Sequence, residues 1–121
     1  MNIVLVMSDL FFSAAIIDIA KKMGMSVQLL RDAELVRKKI REKPAVVIFD
    51  LNYAAADPIG LIQQIRSDPE TQGITTIGFV SHVQTNLKAK ALEAGCDFVL
   101  ARSVFVQKLP ELLEARSVTG G

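Results

Sequence analysis

The sequence is poor in the residues that mark metal centres, disulfide frameworks and nucleophilic triads. It contains one cysteine, Cys96, and one histidine, His82. A single thiol closes no internal disulfide, and no Cys/His spacing resembles a zinc site, so a reducing compartment, the cytoplasm, is the expected location. With no Gly-x-Ser-x-Gly elbow and no nucleophile partner for the lone imidazole, hydrolase chemistry is excluded. An excess of either charge is missing too: 14 basic and 13 acidic side chains leave a net charge of +1. A phosphate backbone selects clustered Lys and Arg, so nucleic acid is not an expected partner. Long hydrophobic runs are also absent. The apolar stretch from Met1 to Ala20 is interrupted by Asp9 and Asp18 and lacks a basic start. That composition argues against a bilayer span or a signal peptide, and the stretch is expected to belong to the mature protein.

Apolar residues fill half of the 121 positions, enough to cover both faces of a sheet within one domain. Asn2 to Met7 is a continuous aliphatic run of the kind a strand buried on both faces requires. Ser8 or Asp9 can cap the helix that follows, whose Phe12, Ile16, Ile19, Ala20 and Met23 share one face until Gly24 ends it. A second strand is expected over Ser26 to Leu30. Asp32 then caps a helix that turns Leu35, Val36 and Ile40 inward and a basic run, Lys38, Lys39, Arg41 and Lys43, to solvent. Ala45 to Phe49 reads as a central strand ending in Asp50, and Asp57-Pro58 opens a third helix with Ile59, Ile62 and Ile65 inward. Ile74 to Val80 is a fourth strand. Ser81-His82 follows, then a helix from Gln84 to Ala94 with a small inner face of Ala89, Ala91 and Ala94. Asp97 to Ala101 is the fifth strand, Arg102-Ser103 lies just past its end, and a last helix runs from Val106 to Ala115. The domain is expected over residues 1–116, with a disordered tail over 117–121.

Strand and helix patterns alternating five times predict an α/β protein in three layers, a doubly wound parallel sheet with helices on both faces. Ligands of such sheets bind outside the carboxyl ends of the strands, near the point where strand order reverses. That edge collects Ser8, Asp9, Asp50, Asn52, Ser81, His82, Arg102 and Ser103. A flavin phosphate would need backbone amides in a Gly, Ser and Thr-rich loop after the first strand. Met7-Ser8-Asp9-Leu10-Phe11-Phe12 has no glycine and aims a carboxylate at the anion, so a flavin is rejected. His82 is open to two readings, a pH sensor or metal ligand and an ordinary loop imidazole bonded to a carbonyl. Phe12 lies on the core stripe, and core packing is expected for Phe11 as well.

The segments Val46-Val47-Ile48-Phe49-Asp50-Leu51-Asn52, Asp57-Pro58 and Ala94-Gly95-Cys96-Asp97 resemble the receiver domain of bacterial two-component response regulators, over Met1 to Ala115. The resemblance implies a flavodoxin-like strand order 2-1-3-4-5. It also implies a phosphoryl-accepting aspartate at Asp50, a Mg²⁺ site from Asp9, Asp50 and the carbonyl of Asn52, and a hydroxyl at Ser81. The family's lysine after the fifth strand is Arg102 here, the proline after it is Ser103, and the aromatic switch position is Val99. Counted back from Gly24 without a gap, the family's acid pair falls on Met7 and Ser8; a shift of one gives Ser8 and Asp9, so at most one carboxylate remains. A guanidinium is a planar fork and an ammonium a point charge, so Arg102 is expected to reach Asp50 or Asp9 as a standing ion pair and to lower its partner's pKa.

Two functions follow from this resemblance. The first is an atypical stand-alone receiver of the pseudo-receiver type, a signalling and protein-interaction module that is not an enzyme and whose degenerate phosphorylation site holds Mg²⁺ weakly or not at all. The second is a Mg²⁺-dependent phosphoacceptor modified on Asp50, with a histidine kinase as partner. In either case the resemblance implies a protein partner, or a second copy of the chain, on the face of the fourth helix, fifth strand and fifth helix. Val83, Leu87, Val99, Val104, Phe105 and Leu109 fall on those elements.

Overall fold

The aliphatic runs pair side by side as five parallel strands. β1 (Asn2–Val6), β2 (Ser26–Leu30), β3 (Val46–Asp50), β4 (Thr75–Val80) and β5 (Phe98–Ala101) lie in the order β2-β1-β3-β4-β5. The computed structural model describes residues 1–81 and 85–120, with the side chains of 85 and 115–120 left aside. Five helices connect and follow the strands: α1 (Leu10–Lys22), α2 (Ala33–Arg41), α3 (Pro58–Ser67), α4 (Thr85–Ala94) and α5 (Arg102–Gly120). A short 3₁₀ turn at Ala54–Ala56 breaks the loop between β3 and α3.

Alternation along the central strands divides the core between the two faces. Ile3, Leu5, Met7, Val46, Ile48, Ile77 and Phe79 pack with Ile16 and Ala20 of α1 and with Phe105, Leu109 and Leu113 of α5. Val4, Val6, Val47, Phe49 and Val99 pack with residues of α2, α3 and α4 on the other side. Caps set the helix starts. Asp9, Asp32 and Asp57 each accept an amide N–H of the first turn, from Phe12, Glu34 and Gly60 respectively. Strand order reverses at β1, flanked by β2 and β3, and the loops after β1 and β3 open there.

The helix periodicity placed some residues on the wrong side of the core boundary. Leu35 is 47% exposed and Phe11 is 93% exposed, whereas Val36, Ile40 and Ile16 are buried. Ala89 also faces solvent, leaving Ala91 and Ala94 as the inner face of α4. α5 begins one turn before the expected Val106. Phe105, Leu109 and Leu113, spaced four apart, form its buried stripe and draw the preceding turn into the helix. Arg102 is thereby the first residue of a helix and not part of a loop. Among the described residues, no helix is long and apolar enough to cross a membrane.

Candidate functional site

Asp50 is the last residue of β3 and lies in register with Phe79 of β4. By alternation from Val46 and Ile48 it faces the layer of α1 and α5. Its carboxylate is half-buried, and its Oδ1 accepts the N–H of Asn52 at 3.0 Å. Burial pushes the pKa of Asp50 above the ordinary carboxylate range; the Asn52 amide and the charge of Arg102 pull the other way without cancelling it. Of the two acids within the expected reach of Arg102, Asp50 is therefore not the ion-pair partner. Arg102 makes its direct contact elsewhere, and desolvation dominates.

That direct contact is with Asp9. Oδ1 of Asp9 caps α1 by accepting the N–H groups of Phe11 at 3.0 Å and Phe12 at 3.1 Å. Its Oδ2 accepts Nη2–H of Arg102 at 2.6 Å. The Phe12 amide and then the Arg102 guanidinium hold this carboxyl below its usual range. On its other side the guanidinium lies 3.9 Å above the centre of the Phe12 ring. Phe12 meets Phe79 edge-on at 5.2 Å, and Phe79 stacks on Phe105 at 4.9 Å. Arg102 is thus held between a carboxylate and the top of an aromatic column that descends into the core.

The remaining site residues fall around this pair. The side-chain Oδ1 of Asn52 accepts the N–H of Ser81 at 2.9 Å, which joins the loop after β3 to the end of β4. Ser81 is exposed beside it, and Ser8 and Ser103 are exposed at the rim. Met7, the other residue aligned with the acid pair, is fully buried and takes no part in the site. His82 lies outside the described residues, as does Val83. Two contributors were not foreseen. Tyr53 donates its hydroxyl to the carbonyl of Arg31 at 3.1 Å and fastens the β3–α3 loop to the end of β2. Phe12 was read only as core, yet its place three residues after the capping Asp9 puts its ring on the turn that Arg102 reaches.

On the face of α4, β5 and α5, Val99, Phe105 and Leu109 are buried, Leu87 packs partly on the core, and Val104 is exposed. Leu92 and Phe98 are also exposed, on α4 and β5.

Receiver-type chemistry calls for hard oxygen ligands around a divalent cation. The carboxylates of Asp9 and Asp50 are of that type, but both oxygens of Asp9 are engaged, one by two amides and the other by a guanidinium. Among the described residues, no three His, Cys, Asp or Glu side chains are grouped to hold a metal ion. As arranged, these residues do not fit a divalent cation.

No family model matches the chain. A protein of Rhizobium etli described as "Probable chemotaxis protein CheY" is 31% identical over 85 residues, which span 69% of this chain and 66% of that relative's length. The fold is shared with solved structures of low identity. The phosphorylated cyanobacterial phytochrome response regulator RcpA superposes with a TM-score of 0.84 at 17% identity, covering 98% of this chain and 94% of that one. The receiver domain of a sensor histidine kinase from Pseudomonas aeruginosa, solved with a magnesium ion in its active-site cleft, superposes with a TM-score of 0.80 at 20% identity, covering 94% of each chain. With Asp50 at the end of β3, the strand order β2-β1-β3-β4-β5 and a chemotaxis-protein relative all in agreement, the chain belongs to the response-regulator receiver family.

Proposed function

We propose that this chain is an atypical receiver that acts in signalling through protein contacts, with the metal-dependent phosphorylation of Asp50 suppressed. The observation that carries the reading is the 2.6 Å pair of Arg102 with Asp9. Phosphoryl transfer to a carboxylate depends on cationic groups that neutralise the oxygens of the incoming group. Here the guanidinium is spent on a neighbouring acid, and that acid is unavailable to a metal. The module is a binding protein under this reading, and its partners are other proteins, a histidine kinase among them. Leu92, Phe98 and Val104 supply exposed apolar area on α4, β5 and α5 for such contacts.

The test is direct. Amide NMR spectra of the protein with Mg²⁺ and beryllofluoride, or with a small phosphodonor, are expected to leave the signals of Asp50, Asn52 and Ser81 in place. Saturable shifts at those three residues would refute the reading.

One observation favours a second function, a working phosphoacceptor. Burial raises the pKa of Asp50 and so leaves it more basic than an ordinary aspartate. A more basic carboxylate is, in its ionised form, a better nucleophile. In this reading Arg102 leaves Asp9 to meet the phosphoryl oxygens, and the same NMR experiment gives the opposite result.

A further inference from the structure

We infer that Arg102 is a tethered cation that takes the place of a divalent metal at this site, and that its guanidinium is what excludes the metal. The inference deepens the proposed function and rests on it for its meaning, but it concerns cation binding alone and is tested without any phosphodonor or partner.

The geometry fastens the guanidinium from two directions. The Oδ2 of Asp9 accepts from Nη2 at 2.6 Å, and the face of Phe12 lies beneath the same group at 3.9 Å. Asp9 itself cannot turn away, because its Oδ1 is fixed by two amides of the first turn of α1. The ring beneath is fixed in turn by Phe79 and Phe105. The cation therefore sits on a prearranged seat, with little side-chain freedom left to lose. Arg102 is also the first residue of α5, so its backbone continues from the end of β5 and delivers the side chain across the carboxyl edge of the sheet. A divalent ion approaching Asp9 meets a resident positive charge, and to gain an oxygen of Asp9 it must separate the guanidinium from both the carboxylate and the ring.

The size of the effect follows from population. If the seat is filled about nine-tenths of the time, apparent metal affinity falls about tenfold below that of the open site. Removing the charge while keeping a polar side chain with part of the aliphatic stem should restore the difference, so Arg102→Gln is the informative variant, with Arg102→Ala as a second. Asp50 keeps its own carboxylate in both, and Asp9 regains an uncommitted Oδ2.

The experiment titrates wild type and variants with Mn²⁺ alone and follows paramagnetic broadening of amide signals. Mg²⁺ alone serves as the diamagnetic control. Wild type is expected to show no selective broadening at Asp9, Asp50 and Asn52, whereas both Arg102 variants broaden there with affinity at least about tenfold tighter than any wild-type response. Adding Asp9→Asn to Arg102→Gln should abolish the gain, since an amide oxygen carries no charge for the ion. Wild type binding Mn²⁺ as tightly as the variants would overturn the inference, as would folded variants that stay silent. Silent folded variants would overturn the inference alone and leave the proposed function to the phosphodonor spectra and partner binding, whereas tight wild-type binding would also remove the premise that Asp9 is unavailable to a metal.

Discussion

Arg66 supports a quantitative test of what holds the opposite edge of the sheet. All five of its N–H donors are used. Nε donates to the carbonyl of Gly95 at 2.7 Å, Nη1 to those of Gln72 and Ile74 at 2.7 and 2.8 Å, and Nη2 to Thr76 Oγ1 at 3.0 Å and to Asp97. Asp97 in turn accepts the backbone N–H of Thr76 at 2.8 Å. One side chain thus binds the end of α3, the start of β4 and the turn from α4 to β5. Hydrogen bonds to a charged group contribute about 1.5–3 kcal/mol each, but not additively. The Arg66 side chain is 21% exposed, so several released acceptors would regain water. Arg66→Ala is therefore expected to cost about 2–4 kcal/mol in urea unfolding followed by circular dichroism, with Arg66→Lys in between because an ammonium cannot reach all five acceptors. For a chain of this size that corresponds to a fall in Tm of roughly 8–15 °C. The amide signals of Asp9 and Asp50, at the other edge, should stay where they are. A loss below about 1 kcal/mol would refute the reasoning, since it would mean that water replaces the network without cost.

Gly78 lies against Leu51, the residue after Asp50: a Cβ there would come within 2.8 Å of a Leu51 methyl. Gly78→Ala is expected to cost about 1–3 kcal/mol through overpacking and to shift the Asn52 amide, as read by unfolding and NMR. Burial pushes the Cys96 thiol up, so at pH 8 it should react with a disulfide reagent only as fast as the protein opens, and unfolding in urea should release it at once. The two site aspartates should titrate in a fixed order on acidification, Asp50 first and Asp9 last, as measured by carboxyl NMR. Since the pKa of Asp50 is raised, its charge destabilises the fold from about pH 4 upward and fully above its own pKa, so Asp50→Asn should stabilise at pH 7 with the gain vanishing below about pH 4.

The fold was legible because its signals are local. The bounds of β2 were read correctly from five residues, Asp32 and Asp57 announced their helices, and Gly24 and Gly95, with φ of +75° and +105°, marked two helix ends. Errors arose where a local pattern needed knowledge of its surroundings. Phe11 and Leu35 are apolar and next to buried positions, but each lies just past the stripe that its helix turns inward. The site was legible as a set of residues and not as a set of contacts. Asp9 and Arg102 are 93 positions apart, so the choice of Asp9 over Asp50 depends on where α1 and α5 meet. The raised pKa of Asp50 was not legible for a related reason: it is set by the depth of the strand end, which composition does not reveal.

The segments that carried the family resemblance do two different physical jobs. Gly95 and Asp97 serve the Arg66 network at the amino edge of the sheet and are structural. Asp50 and Asn52 lie at the carboxyl edge, where Asn52 organises both the Asp50 carboxylate and the Ser81 amide. At that edge two acids face one guanidinium, and the guanidinium sits on Asp9, whose Oδ1 is already oriented by the helix cap. Asp50 is left with a backbone amide and a desolvation cost that its neighbours do not offset. An asparagine would occupy the same place without that cost, so packing gives no reason for a carboxylate at the end of β3. A charge maintained against its own solvation is what a chemical or signalling role would explain, and under the proposed function the seated guanidinium confines that role to events that proceed without a metal or that first lift Arg102 from Asp9 and Phe12.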